Sequence, residues 1–323
     1  MNKKIENLSI NEIFKSRKEF IPEIGEQLRD KKEVEIKIGK DEKVKIDYRE
    51  ISIMEKENKE ADAVLLLPGF GSGWEGISEL GFSLACEGRR VIMPSLPGYG
   101  NSENPSKKYY DTDNFENEAD AVNSFLEQVD LKDKKVHLIG HSMGSEILAS
   151  LAKKYSDKIS SLVLLNPAGI KEKENAIKLS SKFILSGMQT SIDFNVKTFF
   201  SGDREYQNEL KKYIPKTRSP FEKNRISQRL AETRKVSNGN LLKKIKKIEV
   251  PITYISGELD TVYPPGNESD ENSQLTQIIK NVRNKSQLET SVMIGLRHNT
   301  TIAPDEITAT NIEHYLEVAE TKK

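Results

Sequence analysis

Two rhythms of apolar residues alternate along the chain. Between residues 33 and 48 the period is two: Glu33-Val34-Glu35-Ile36-Lys37-Ile38 and Val44-Lys45-Ile46-Asp47-Tyr48 set an apolar side chain on every second position. That is the signature of half-exposed antiparallel strands, here joined through residues 39–43 as a hairpin. Further on, apolar residues come in short unbroken runs: Ala63-Val64-Leu65-Leu66-Leu67, Val91-Ile92-Met93, Val136-His137-Leu138-Ile139, Leu162-Val163-Leu164-Leu165, Ile252-Thr253-Tyr254-Ile255 and Val292-Met293-Ile294. Such runs suit strands covered on both faces, as in a parallel sheet. Helical stretches separate them, over about 74–87, over about 113–129 with Asp113 as a cap, directly after Gly144, and over about 304–318. Strands alternating with helices predict an α/β fold, a doubly wound and mostly parallel sheet with an antiparallel N-terminal hairpin.

Two segments stand outside that alternation. Residues 1–30 read as a charged, partly amphipathic helical extension whose role is not legible. Between Pro167 and Val250 the strands stop for about eighty residues, too long for a structureless loop. A helical cap inserted over residues 168–247 is therefore expected, dividing the core into residues 31–167 and 248–323. Ile177, Leu179, Phe183, Ile184, Met188, Phe199 and Phe200 supply its apolar faces, against which a hydrophobic acyl or ring group would rest.

Charge changes the picture of that insertion. The whole chain balances 50 Lys and Arg against 50 Asp and Glu, yet residues 171–247 alone hold 19 basic residues against 8 acidic ones. Such an excess commonly does no more than solvate helix faces. Its functional reading is that Lys216, Arg218, Arg225 and Arg229 draw in an anionic substrate end or an acidic surface.

Composition bounds the function classes. With 323 residues, 31% of them charged, 7% aromatic, and a mean hydropathy of -0.61, the chain is expected to be a soluble globular protein. No apolar run approaches the ~20 residues of a membrane-spanning helix. The start, Met1-Asn2-Lys3-Lys4-Ile5-Glu6, has no apolar signal core, so a cytoplasmic location is expected. The single cysteine, Cys86, excludes an intramolecular disulfide and fits a reducing compartment. Within Leu84-Ala85-Cys86 it reads as a small core residue rather than a nucleophile. Zero net charge gives no reason to expect a nucleic-acid partner.

The chemistry centres on Gly140-His141-Ser142-Met143-Gly144, which follows a buried strand and opens a helix. A serine held on a sharp strand-to-helix turn presents its hydroxyl above the sheet edge, and the flanking glycines avoid the Cβ collisions that such a turn creates. A serine hydroxyl needs a base, and histidine is the side chain that titrates near neutrality. There are four histidines. His137 lies inside the strand, His141 adjoins the nucleophile and shapes the pocket, and His314 belongs to the last helix. His298 follows a strand and Gly295 in a loop, where its ring can swing over the sheet edge, and is the expected base.

Together with Pro68-Gly69-Phe70-Gly71, Leu96-Pro97-Gly98-Tyr99-Gly100-Asn101-Ser102, Gly257-Glu258-Leu259-Asp260 and His298, the serine motif resembles the α/β-hydrolase superfamily, in its capped serine-hydrolase, esterase- and lipase-like branch. The resemblance covers nearly everything after the N-terminal extension. Pro68 stands where many members have histidine, Ser95 where aspartate is common, and Ser145 where a third elbow glycine is frequent. In that fold the chain order Ser…Asp…His implies Asp260 as the acid that orients His298. Glu258 sits one step too early and Asp270 too far along a polar loop. Oxyanion donors would be the Met143 N–H at the helix start and, by the resemblance, the Phe70 N–H. Gly69, Gly71, Gly140, Gly144 and His141 would shape the pocket. A phosphate loop would need Lys-Ser/Thr where Trp74-Glu75 stands.

The resemblance implies a serine hydrolase that cleaves a small-molecule carboxylic ester or related acyl bond through an acyl-enzyme, with no metal or organic cofactor. Ser142 sets the chain apart from the epoxide hydrolases and haloalkane dehalogenases that share this fold, which carry aspartate there. A carbon–carbon bond hydrolase, a cofactor-free haloperoxidase and a ligand sensor with little turnover are the alternatives.

Overall fold

The computed structural model describes residues 17–112, 114–170, 182, 209–214, 225–294, 296–298 and 306–321. Its centre is an eight-stranded sheet of order β1-β2-β4-β3-β5-β6-β7-β8. The strands are β1 (Lys32–Ile38), β2 (Glu42–Ile51), β3 (Ala63–Leu67), β4 (Val91–Pro94), β5 (Val136–His141), β6 (Ile159–Leu165), β7 (Ile252–Gly257) and β8 (Leu288–Met293). β1 and β2 form the expected antiparallel hairpin, β2 runs antiparallel to β4, and every other pair is parallel.

Helices cover both faces: α1 (Ile21–Arg29), α2 (Ser78–Cys86), α3 (Glu116–Leu126), α4 (Met143–Lys154), α5 (Ile226–Asn238), α6 (Leu241–Ile245), α7 (Gln274–Asn281) and α8 (Glu306–Thr321). The unbroken apolar runs acquire their meaning here. Leu65, Leu67, Leu138, Leu162 and Leu164 join one core layer, with residues of α3, α4 and α7. Val64, Leu66, Ile139, Val163 and Leu165 join the other, with residues of α1, α2 and α8. Neighbours in sequence thus point to opposite faces, and both faces are dry.

Four details depart from the sequence reading. The N-terminal segment is woven into the core where described: Ile24 and Leu28 of α1 are fully buried, Gln27 exchanges two 2.8 Å hydrogen bonds with the Ser52 backbone, and Arg49 Nε donates to Leu28 O at 2.6 Å. The last strand begins at Leu288 and ends at Met293. As an edge strand it alternates exposed and half-buried residues, so Leu288-Glu289-Thr290-Ser291 carries no apolar run, while Ile294 lies beyond it, 87% exposed. The helix expected from about 74 opens as a 3₁₀ turn at Trp74–Ile77 before α2. Finally, α7 is capped by Ser273, whose Oγ accepts from Thr276 N–H; it was not predicted. Asp113, Pro304 and the apolar residues Ile177, Leu179, Phe183, Ile184, Met188, Phe199 and Phe200 lie outside the described residues.

Register aligns the carboxyl ends of the central strands. Gly140 of β5 pairs with Leu67 of β3 and with Leu164 of β6, and His141 pairs with Leu165. Strand order reverses beside β3, where the chain goes first to β4 and then back across to β5. In open α/β sheets, the crevice outside the strand ends at such a reversal is where ligands bind.

Candidate active site

Ser142 occupies the turn between β5 and α4 with φ 52° and ψ −116°, a strained conformation for a residue bearing a Cβ. Its surroundings hold it there. The Ser142 N–H donates to Leu165 O at 2.9 Å, and its carbonyl accepts from Ser145 N and Ala168 N at 3.1 Å each. A Cβ on Gly140 would lie 2.5 Å from Ser145 N, and one on Gly144 would lie 2.6 Å from both Leu67 O and Pro68 O. Only hydrogen fits at either position. Ser145, which stands where a further glycine is common, donates its hydroxyl to Gly140 O and so braces the turn.

Three sequence-distant side chains meet at this turn. His298 Nε2 lies 3.0 Å from Ser142 Oγ, and His298 Nδ1 lies 2.8 Å from Asp260 Oδ2. The other carboxylate oxygen, Asp260 Oδ1, accepts the N–H groups of Val262 and Tyr263 at 2.8 Å each. All three side chains are buried. Burial pushes the Asp260 pKa upward, but the His298 ring and those two backbone donors outweigh it and hold the group below the ordinary carboxylate range. Asp260 is therefore an anion whose two oxygens both have donors. Because Asp260 Oδ2 can only accept, Nδ1 of His298 carries the proton, and in the neutral ring Nε2 faces the serine as an acceptor.

The remaining expected residues fall around that line. His141 is buried, with Nε2 2.7 Å from His298 O and its ring centroid 5.2 Å from that of His298. Burial first, and the neighbouring His298 second, lower its pKa to about 3, so it stays neutral. Gly69 passes close to Ser142: a Cβ there would lie 3.1 Å from Ser142 Cβ and 3.0 Å from His141 Nδ1. Met143 is the first residue of α4, where a helix provides no acceptor for the N–H. Phe70 is partly buried on the core layer of α3 and α4, one residue past Gly69. Gly71 has φ 81°, which favours glycine. Of the three acids weighed, Asp260 is hydrogen-bonded to the His298 ring; Asp270 accepts from the Asn272 N–H at 2.9 Å within its polar loop. His137 pairs through Nδ1 with Ser161 and through Nε2 with Glu320, in the sheet interior, and His314 is exposed.

One residue of this region is not marked by any of the motifs above. Asn166, just past β6, is buried with φ 45° and hydrogen-bonds to His298 O at 2.8 Å and to Gly257 N at 2.8 Å. An Asn-Pro pair directly after a buried strand run was the available hint.

Arg225 and Arg229 correct an expectation. They are 0% and 3% exposed and offer no steering patch. Arg225 donates to Gly98 O at 2.9 Å and Arg229 Nη2 does the same at 2.9 Å, while Arg229 Nη1 pairs with Glu232 at 2.5 Å. Glu232 also accepts from Tyr99 OH at 2.5 Å. These cations brace the Leu96-Pro97-Gly98-Tyr99-Gly100 turn against α5, satisfying carbonyls that would otherwise be buried without donors. Lys216 and Arg218 lie outside the described residues.

Among the described residues, one group has metal-ligand spacing: Asp62, His137 and Glu320, with ligand atoms within 4.8 Å of one another. It sits at the opposite end of the strands, where Asp62 precedes β3. Its atoms already have protein partners. Glu320 Oε1 receives Arg89 Nη1 at 2.6 Å and His137 Nε2 at 3.0 Å, and a guanidinium at that oxygen opposes a second cation. No helix among the described residues is long and apolar enough to cross a membrane.

The sequence pattern of the alpha/beta hydrolase fold matches residues 62–290, a span that includes Ser142 and Asp260. The chain belongs to the alpha/beta hydrolase fold family. Among its relatives, this hydrolase is 26% identical over 247 residues to Lipase 3 of Moraxella sp. (strain TA144), covering 72% of this chain and 71% of that protein. It is 36% identical over 115 residues to the 1-acylglycerol-3-phosphate O-acyltransferase ABHD5 of Sus scrofa, covering 34% of this chain and 31% of that protein. The chain thus spans about a third of that relative's length. In structure it is similar to a thermophilic esterase from Thermogutta terrifontis, with a TM-score of 0.62 at 17% identity, covering 89% of this chain and 99% of that one. At that identity the likeness speaks for the fold.

Proposed function

We propose that this hydrolase cleaves a carboxylic ester or related acyl bond through an acyl-enzyme, with Ser142 as nucleophile, His298 as base and Asp260 as the acid that orients it. The observation that carries the reading is the continuous hydrogen-bonded line from Ser142 Oγ through the His298 ring to Asp260, at 3.0 and 2.8 Å. As Ser142 Oγ bonds to the acyl carbon, its proton passes to His298 Nε2 and the carbonyl electron pair moves onto oxygen. The resulting imidazolium faces ionised Asp260. Collapse returns that pair, breaks the bond to the leaving alkoxide, and delivers the proton from Nε2 to it. Water then attacks the acyl carbon, losing a proton to the same nitrogen, and that proton passes to Ser142 Oγ as its bond to the acyl carbon breaks and the acid leaves. The N–H groups of Met143 and Phe70 are the proposed oxyanion donors, preorganised by a helix start and a tight turn rather than by mobile side chains.

The segment over residues 168–247 is proposed as a cap on the 31–167 and 248–323 core, and as the part that selects the substrate. Two relatives named for acting on acyl lipids, a lipase and an acylglycerol-phosphate acyltransferase, favour a hydrophobic acyl group. The test is fluorophosphonate labelling of the wild type and of Ser142→Ala, followed by an ester panel graded by acyl length. Labelling that disappears with Ser142→Ala, together with turnover of at least one chain length, is the expected result. Labelling that persists in Ser142→Ala would remove the mechanism.

A further inference from the structure

His298 presents its ring to the nucleophile, but its backbone is held from a direction that the triad does not include. The His298 carbonyl accepts two hydrogen bonds, from His141 Nε2 at 2.7 Å and from Asn166 Nδ2 at 2.8 Å. The same Asn166 nitrogen lies 3.2 Å from Arg297 O, and Asn166 Oδ1 accepts from the Gly257 N–H at 2.8 Å. The partners fix the amide orientation without ambiguity: carbonyls can only accept and an N–H can only donate, so a flipped amide would face like with like at every contact. The same logic places the proton of neutral His141 on Nε2.

We infer that Asn166 is a positioning residue of the active site, acting with His141 to clamp the His298 main chain so that Nε2 stays within reach of Ser142 Oγ. This rests on the hydrolase reading above. Three features support it. First, Asn166 contacts the carriers of the base and the acid, and the segment it opens contacts the turn that carries Ser142. Its side chain holds the base loop. It also binds Gly257, whose carbonyl in turn accepts the Asp260 N–H at 3.1 Å. Its own N–H donates to Ile255 O at 2.8 Å, and two residues on, Ala168 N–H donates to Ser142 O at 3.1 Å. Second, the position suits this residue type. At φ 45° asparagine is among the few side chains readily tolerated, and its short planar amide supplies the donor for His298 O and the acceptor for the Gly257 N–H at once. Third, His141 is the residue before the nucleophile, so its bond to His298 O ties the base loop directly to the elbow. Its pKa of about 3 keeps the donor neutral beside an imidazolium formed in turnover.

Asn166 touches no reacting atom, so its contribution passes through His298. A double-mutant cycle between the two residues isolates it. Asn166→Asp keeps the volume and the acceptor for Gly257 but turns an oxygen toward the His298 carbonyl; Asn166→Ala removes both contacts. In the wild-type background each is expected to lower kcat/KM for an activated short-chain ester by about 10²-fold, the scale of a small misplacement of a reacting group, with KM nearly unchanged. Each should also shift the ¹⁵N resonances of the His298 ring. In a His298→Ala background neither should change the residual rate. If an Asn166 variant does not fold, His141→Leu and His141→Gln pose the same question, since glutamine restores a donor and should restore rate where leucine loses it. Equal losses in both backgrounds, no loss in either, or unmoved His298 resonances would overturn the inference. A wild type without esterase turnover would instead refute the hydrolase reading, while the ring resonances still report on the clamp.

Discussion

The Ser142 main-chain N–H donates to the Leu165 carbonyl at 2.9 Å. This bond joins the elbow to the end of β6 and holds the strained serine over the sheet edge. It also occupies the amide of the proposed nucleophile. In the proposed mechanism, negative charge developing on a substrate oxygen must then be met by neighbouring amides, which gives the turn carrying Gly69 and Phe70 its proposed role.

Gly69 sets the spacing between that turn and Ser142. An added methyl group would sit 3.1 Å from Ser142 Cβ and 3.0 Å from His141 Nδ1, closer than packed carbon atoms rest. Gly69→Ala should displace the turn, lowering kcat/KM for an activated ester by roughly 10- to 100-fold with little change in Tm. Steady-state kinetics beside a thermal melt check this. An unaltered kcat would take the 68–70 turn out of the oxyanion site.

α5 is tied down by buried charge. Lys235 Nζ pairs with Glu118 of α3 at 2.7 Å, with 1% and 3% of the two side chains exposed. Removing one partner strands the other in the interior. Lys235→Met is expected to cost about 3–5 kcal/mol, whereas Lys235→Met combined with Glu118→Leu should recover most of the loss. Denaturant titration of the three proteins decides it; a double variant no more stable than the single would contradict the pairing.

Glu79 of α2 supplies a pH dependence. Burial, opposed by Lys211, pushes its pKa up to about 8 from 4.5. The unfolded chain releases this proton near 4.5 and the folded chain keeps it to about 8. The folded state therefore binds the extra proton between those values, and stability falls as pH rises across that window. Glu79→Gln removes the titration, so its melting temperature should gain on the wild type steadily from pH 5 to about 8. Parallel Tm curves would show that Glu79 ionises normally.

Much of this was legible in the residues because the physics was local. An unbroken apolar run such as Leu162-Val163-Leu164-Leu165 can be buried on both faces only in a covered sheet, and a glycine-flanked serine after such a run has few other conformations. The structure brings Asp260, Ser142 and His298 together, as the chain order suggested. Other features depend on distant partners. β8 hides its strand character because an edge strand needs no apolar run. The basic excess over residues 171–247 suggested a surface patch, yet Arg225, Arg229, Lys235 and Lys244 are internal, each beside a carbonyl or carboxylate that no local pattern discloses. Asn166 reads as the end of a strand until the His298 loop arrives from 132 residues away.

Loss of the three proposed catalytic groups one at a time is the most direct measurement of the central claim. Ser142→Ala, His298→Ala and Asp260→Asn should each keep the fold by circular dichroism and lower kcat/KM on the best ester of the panel by similar amounts, on the order of 10⁴-fold, because they act as one unit. Full activity in Ser142→Ala, or near-wild-type rates in Asp260→Asn alongside a loss in Glu258→Gln, would contradict the account.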